Sequence, residues 1–163
     1  MEGSVIASLR GRIVARDPVP VVEIGGLGFS VQVSARTAAR LPALQEAVFL
    51  HTYLHVREDH LSLYGFASEE ERALFLQLLS VNGVGPRAAL TLLSSAPLEE
   101  LHRALQDGDE AYLVRLPGVG KKTAARLVVE LQGKMPRSPG PAARVGASPM
   151  LDEAVLALVS LGL

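Results

Sequence analysis

The chain contains two copies of a short glycine turn whose residue types could bind an anion. The first copy occupies residues 81–90 and the second 116–125, and each has Gly-Val-Gly between an apolar residue and an alanine-rich helical run. Glycine lets the backbone approach a ligand closely. A helix that begins just after such a turn presents unpaired N–H groups and the positive end of its dipole. The pattern therefore predicts two sites for anions such as phosphate.

Cationic residues accompany both turns. Pro86 suits the first position of a helix, because its missing N–H would have no partner there. We expect the valine between the glycines to anchor each turn in the core. The predicted phosphate-binding residues are Asn82, Gly83, Val84, Gly85 and Arg87 in the first copy, and Gly118, Val119, Gly120, Lys121, Lys122 and Arg126 in the second.

Three interpretations of these turns compete: a helix–helix corner in an all-helical domain, a nucleotide-binding loop, and a pair of helix-hairpin-helix motifs that bind nucleic-acid phosphates. A P-loop requires G-x-x-x-x-G-K-[ST], but Lys122 stands where Ser or Thr belongs and Arg115 where the first glycine belongs. Residues 83–88 fit G-x-G-x-x-A, yet the run before them, 74–81, has a helical pattern and not that of a strand. Duplication with the same glycines and cations favours the pair of hairpins.

Composition excludes several other classes of protein. The 163 residues carry a net charge of −1 and include no cysteine, so disulfides, thiol nucleophiles and thiolate metal sites are excluded. No run approaches the roughly 18 apolar residues of a membrane span. No signal peptide pattern opens the chain, so we expect a cytoplasmic protein without a membrane partner.

Three histidines, at positions 51, 55 and 60, raise the question of a metal site. His51 and His55 share one face of a predicted strand but would lie about 13 Å apart, at roughly 3.3 Å per residue. One tetrahedral zinc ion cannot span that distance, so we expect no metal. Together with Tyr53, these two histidines are expected on the solvated face of the sheet.

The hydrophobic period changes from that of strands to that of helices near Ser68. Strands at 5–15, 19–24, 27–33, 47–56 and 61–66, with a short helix at 35–41, predict a closed five-stranded barrel of OB type. Ser68 and Glu71 predict a capping box for the first of five helices. The predicted domains are the barrel (1–66), a tandem helix-hairpin-helix domain (67–132), a flexible linker (133–149) rich in Pro, Gly, Ala and Ser, and a terminal helix (150–163).

A family resemblance supports this interpretation. The two glycine turns follow Arg57-Glu58-Asp59 and Leu63-Tyr64-Gly65-Phe66, and in this order and spacing the chain resembles the RuvA family of bacterial Holliday-junction proteins. The similarity runs to about residue 131 and resumes at 152. It implies an OB-type barrel and a subunit without catalytic activity that binds four-way DNA junctions by their structure and not by their sequence.

The resemblance also implies a role for the turn at 57–60. Glu58 and Asp59 match the acidic pin that the family places at the centre of its tetramer. Four copies of two carboxylates near a four-fold axis would repel phosphates and keep the crossover open. Arg57 would offset part of that charge or hold a strand near the junction centre. The alternative to an acidic pin is that residues 57–60 form an ordinary solvated hairpin turn, which is what the residues alone predict.

The partners that the resemblance implies are junction DNA, further copies of the chain in a tetramer or an octamer, the RuvB motor ATPase and the RuvC resolvase. ATP and Mg²⁺ are expected on the motor alone, with no cofactor here. The complex would act in DNA recombination, DNA repair and the SOS response. Because the family continues beyond position 163, we expect a shortened motor-binding domain, which puts motor contact by this chain in question.

Two alternatives to junction binding remain at this stage. One is a tandem helix-hairpin-helix accessory module that binds DNA without a preference for junctions. The other is a nucleotide-binding enzyme of the G-x-G-x-x-A kind. The oligomeric state would distinguish the accessory module from a junction-binding protein. Titration with nucleotides would distinguish the nucleotide-binding enzyme from both.

Overall fold

The computed structural model describes residues 4–134, and the first half of these forms a closed barrel. Its strands are β1 (Ser8–Ala15), β2 (Val21–Ile24), β3 (Leu27–Val33), β4 (Ala47–Val56) and β5 (Leu61–Phe66), in the order β1-β2-β3-β5-β4. Strands β3 and β5 run parallel, and all other neighbours are antiparallel. The short helix α1 (Ala35–Arg40) connects β3 to β4. The predicted five-stranded barrel is confirmed.

The second half of the described residues is helical. It comprises α2 (Glu69–Leu79), α3 (Pro86–Ser95), α4 (Leu98–Asp107), α5 (Glu110–Val114) and α6 (Lys121–Leu131). Gly108 ends α4 in a left-handed conformation with φ 70°, which glycine adopts without a steric penalty. The predicted unit of five helices is therefore confirmed. Between residues 4 and 134, no helix has the length and apolar character that crossing a membrane requires.

Helix α2 packs against the outer face of the barrel. The Phe75 ring lies 5.9, 5.2 and 4.8 Å, between centroids, from the rings of Tyr53, Tyr64 and Phe66. His51 Nδ1 lies 3.0 Å from a carboxylate oxygen of Glu69. The expectation of a solvated face was wrong for Tyr53, whose ring packs against Phe75 of α2, while His51 and His55 on the same face are partly exposed. The period of two in β4 identifies which side chains share a face, but not which element covers that face.

The capping box predicted for α2 is half formed. The Ser68 hydroxyl accepts the backbone N–H of Glu71 at 3.2 Å, as an N-cap should. The Glu71 side chain does not return to the cap but accepts hydrogen bonds from the hydroxyls of Ser34 and Thr37. This contact with α1 and with its N-cap residue, Ser34, takes the place of the local hydrogen bond.

Helices α2 and α4 enclose a histidine whose ionisation affects stability. His102 is 5% exposed, and within the described residues its ring nitrogens have no hydrogen-bond partner. Burial lowers the pKa of His102, while the Glu70 carboxylate, 3.8 Å from its Nε2, opposes that shift. A buried imidazole is harder to charge than a solvated one, so the unfolded chain binds this proton more readily than the folded chain.

The pH dependence of unfolding tests this effect. Because the pKa of His102 is lowered on folding, its stabilising contribution is complete above about pH 6.5, the unfolded value, and is lost as pH falls through the folded value. We expect the free energy of unfolding in urea to fall less between pH 7 and pH 5 in His102→Gln than in the parent chain. His60→Gln, at an exposed turn, is the control and should keep the full loss. An equal loss in both variants would contradict this account.

The predicted division into domains 1–66 and 67–132 stays a prediction, although β5 ends at Phe66 and α2 begins at Glu69. Residues 135–149 of the predicted linker and the predicted terminal helix at 150–163 lie outside the described residues.

Candidate nucleic-acid interface

The two glycine turns have the same backbone conformation. The first glycine of each turn is left-handed, with φ 90° at Gly83 and 81° at Gly118. The second glycine is the N-cap of the next helix, with φ −89° and ψ 174° at Gly85, and φ −84° and ψ 171° at Gly120. The repeat in the sequence is therefore a repeat in three dimensions.

Each turn is anchored by its central valine, as expected. The N–H of Val84 donates to the Val81 carbonyl at 3.0 Å, and that of Val119 to the Leu116 carbonyl at 3.2 Å. Val84 and Val119 are both buried. The elements that precede the turns are helices, α2 and α5, so the strand that a P-loop or a dinucleotide-binding loop requires is absent from both positions.

The first N–H groups of helices α3 and α6 have no hydrogen-bond partner within residues 4–134. Neither helix has a side-chain hydrogen bond at its N-cap. Apart from the adjacent residues, no atom of residues 4–134 lies within 4 Å of a Cβ built at Gly85 or Gly120, and both residues have a φ that any amino acid adopts. The chain's own packing therefore does not require glycine at these two positions. The open space allows a ligand to approach the backbone.

The predicted cations lie on the first turns of these helices. Arg87, Lys121 and Lys122 are exposed, and none of them makes an ion pair within residues 4–134. Asn82 is also exposed, but its carbonyl accepts a hydrogen bond from Arg126 Nη1 at 3.3 Å. Arg126 belongs to α6, so this contact ties the second hairpin to the turn of the first. Arg126 is itself exposed, so its predicted contact with phosphate stays a prediction beside this hydrogen bond.

The two residues predicted to form an acidic pin, Glu58 and Asp59, lie in the β4–β5 turn of the barrel. The N–H of Arg57 donates to the His60 carbonyl at 3.0 Å, which closes the turn and leaves Glu58 and Asp59 exposed. His60 Nδ1 lies 3.3 Å from Asp59 Oδ1, and this hydrogen bond is the main reason that the pKa of Asp59 is lowered. The Asp59 carboxylate therefore keeps its charge to lower pH than an isolated one.

His55 holds the side chain of Arg57, a role that the sequence analysis did not assign. Arg57 Nε donates to His55 Nε2 at 3.1 Å, and the Tyr53 hydroxyl lies 3.5 Å from His55 Nδ1. Burial, followed by the charges of Arg57 and His60, lowers the pKa of His55, so the ring stays neutral and Nε2 stays an acceptor. The available signal was the alternation along β4, which places residues 53 and 55 on one face, with Arg57 two positions further, just after the strand ends.

The described residues include no group of His, Asp or Glu side chains that could hold a metal ion. The three histidines of the barrel instead contact carboxylates, a guanidinium or a phenol. His51 contacts Glu69, His55 contacts Arg57 and Tyr53, and His60 contacts Asp59.

Comparison with known proteins identifies the family. The model of the RuvA N terminal domain matches residues 6–65, and that of the SAM-like helix-hairpin-helix tandem matches residues 75–133. A relative from Thioalkalivibrio sulfidiphilus is 44% identical over 96% of this chain and 83% of its own length. The chain belongs to the RuvA family. Relatives from Stutzerimonas stutzeri and Solibacter usitatus are also 44% identical, over 96% of this chain and 84% and 82% of their own lengths.

All three relatives carry the name Holliday junction branch migration complex subunit RuvA. In this RuvA-family chain, the first matched segment coincides with the barrel and the second with the helices around both glycine turns. The resemblance deduced from the motifs is confirmed, as is the fold of a barrel followed by tandem helix-hairpin-helix motifs.

Proposed function

We propose that this chain binds four-way DNA junctions by their shape and is the stationary, non-catalytic subunit of a branch-migration complex. A RuvB-type motor supplies ATP hydrolysis. The observation that carries the proposal is the pair of glycine turns, which share one backbone conformation, carry exposed cations and are tied together by Arg126. The names of the relatives support the same function.

Each turn binds one phosphate region of a DNA arm. At the first, the N–H groups that follow Gly85 and the Arg87 side chain hold the phosphate. At the second, the N–H groups that follow Gly120 act with Lys121 and Lys122. Arg126 positions the first turn through Asn82 and adds positive charge between the two sites. Contacts of this kind position DNA but do not read its sequence, so binding is independent of sequence.

Junction preference comes from the pin and from symmetry. In a tetramer, four subunits each hold one arm, and the carboxylates of Glu58 and Asp59 meet near the axis. Their charge repels phosphates from the centre and keeps strands from pairing again there. Arg57, oriented by His55, partly offsets that charge or contacts a strand near the centre. The proposal also includes the tetramer and the two domains 1–66 and 67–132. It further includes a cytoplasmic location and RuvC as a further partner.

A binding comparison tests the proposal. A synthetic four-way junction and a duplex of the same arm sequence are titrated at two salt concentrations, with the mass in solution measured in parallel. We expect tight, junction-selective binding by a tetramer or an octamer. Equal and weak binding of both DNAs by a monomer would leave a tandem helix-hairpin-helix module without junction preference. Micromolar binding of ATP or NAD would instead favour a nucleotide enzyme.

Glycine substitutions separate the binding role of the turns from their folding role. Gly85→Ala should change the free energy of unfolding by less than about 1 kcal/mol, since its φ suits any residue and no atom lies near the new Cβ. DNA affinity should nevertheless fall roughly tenfold, because the methyl group holds phosphate away from the N–H groups. The measurements are urea unfolding and duplex titration.

The first glycine of the same turn is the matched comparison. Gly83→Ala places a side chain at φ 90° and 3.3 Å from Arg126 Nη1, so it should lower the free energy of unfolding by about 1–2 kcal/mol. If Gly85→Ala binds DNA as the parent chain does, the proposed approach of phosphate to this backbone is wrong.

A further inference from the structure

A buried carboxylate connects the barrel to the first helical hairpin. Glu71 lies in α2 and is 1% exposed, yet no ion pair within residues 4–134 includes it. Its two oxygens accept hydrogen bonds from Ser34 and from Thr37, the latter at 2.7 Å, and both of these residues are fully buried. Burying a carboxylate without a cation is unfavourable unless each oxygen is satisfied by a donor. Both oxygens have a donor here, so hydrogen bonds to the barrel, and not an ion pair, compensate the burial of Glu71.

Both hydroxyls that contact Glu71 also accept a hydrogen bond from a backbone N–H. The Ser34 hydroxyl accepts the N–H of Thr37 at 3.1 Å, and the Thr37 hydroxyl accepts the N–H of Ala67 at 3.1 Å. Each hydroxyl thus has its own proton free to donate, and Glu71 supplies an acceptor to each. The network joins three segments: α1 of the barrel, the connector after β5, and α2. Hydrogen bonds depend on angle as well as distance, so they fix an orientation that apolar contacts leave variable.

A second set of contacts ties α1 to the far end of the same hairpin. The N–H of Ala35 donates to the Ser94 hydroxyl at 3.0 Å, and Arg36 Nη2 donates to the Ala96 carbonyl at 3.1 Å. Ser94 lies in the last turn of α3, and Ala96 is its C-cap. Helix α1 therefore contacts both helices that flank the first glycine turn. The barrel, which carries the pin, is connected through α1 to the hairpin that carries a phosphate site.

We propose that Glu71, with Ser34 and Thr37, is an interdomain latch that fixes the orientation of the phosphate-binding turns relative to the acidic pin and so determines the preference for junctions. The inference rests on the proposed function. These three residues are positioning residues, because none of them is placed at the DNA. Without the latch, each turn still binds phosphate, but the turns and the pin no longer fit one junction simultaneously.

Isosteric substitutions test the latch. Thr37→Val removes the hydroxyl and keeps the shape, whereas Thr37→Ser keeps the hydroxyl. Glu71→Gln keeps one acceptor of two, and Glu99→Gln, at an exposed site on α4, is the charge-matched control. We expect Thr37→Val and Glu71→Gln to reduce the ratio of junction to duplex affinity about tenfold, the effect of losing a hydrogen bond to a charged group. Duplex affinity should stay within about twofold, since the turns are unchanged. Thr37→Ser and Glu99→Gln should behave as the parent chain does.

A distance measurement provides a readout that a loss of stability alone would not change. Because the chain contains no cysteine, spin labels can be placed only where intended, at Glu23→Cys in the barrel and Arg103→Cys on α4, with labelled chains diluted into unlabelled ones. Pulsed electron paramagnetic resonance should show a broader distance distribution in Thr37→Val and Glu71→Gln, and the parent distribution in Thr37→Ser.

The possible results separate the two proposals. A parent-like distance distribution with unchanged selectivity in folded Thr37→Val and Glu71→Gln would overturn the latch. Equal losses of junction and duplex affinity with an unchanged distribution would overturn it too, because they indicate a role in stability alone. If the parent chain itself lacks junction preference, the proposed function fails, while the distance distribution still tests whether Glu71 fixes the orientation of the two parts.

Discussion

Replacing Lys121 and Lys122 together with alanine should weaken junction binding by at least roughly tenfold, because hydrogen bonds and contacts to a charged phosphate contribute about 1.5–3 kcal/mol each. Both lysines are exposed at the start of α6, beside an uncapped helix terminus. The dependence of log K on log salt should also become shallower, by about 0.9 for each lost phosphate contact on a duplex arm. Titrations of junction and duplex at four salt concentrations measure both effects.

Arg103→Ala, which removes one positive charge where the lysine variant removes two, is the control for a change of charge away from the turns. Arg103 is exposed on α4, outside both glycine turns, so its removal changes the net charge without removing a proposed contact. We expect its salt slope to equal that of the parent chain. An unchanged slope in the lysine variant would count against the proposed phosphate contacts. An equal change in the control would show that lysines 121 and 122 act only through net charge.

Neutralising the acidic pin should not weaken junction binding, in contrast to the lysine substitutions. Glu58→Gln with Asp59→Asn is expected to leave junction binding intact or tighter, since two repelling carboxylates per subunit are removed near the phosphates. The preference for junction over duplex should decrease by roughly several-fold, since solvent screens the interactions of such exposed charges. Competition between junction and duplex for the same protein measures this preference directly.

Glu99→Gln with Asp107→Asn removes the same charge from the exposed surface of α4 and should leave the preference unchanged. A collapse of junction binding in the pin variant would mean that Glu58 and Asp59 have a structural role and that the repulsion argument is wrong. The hydrogen bond from Arg57 to His55 is not altered by either pair of changes, so Arg57 keeps its orientation in both.

The sequence by itself predicted the features whose causes are local. The conformation of each glycine turn, the helix starts at Pro86 and Lys121, and the burial of Val84 and Val119 all follow from residues within a few positions of one another. The alternation of the strands and the small helix of the barrel were also predicted, because they too depend on residues close together in the sequence. The motifs in their order were also sufficient to identify the family.

Only the tertiary structure decided which distant side chains meet. Glu71 satisfied the local pattern of a capping box, but its carboxylate bonds to Ser34 and Thr37 of α1. Arg126 had the pattern of a phosphate ligand, yet it donates to the carbonyl of Asn82 in the other hairpin. Tyr53 lay on a face that α2 covers through Phe75. The physical reason is common to all three: a side chain's partner depends on how separate elements pack, and local sequence patterns do not contain that information.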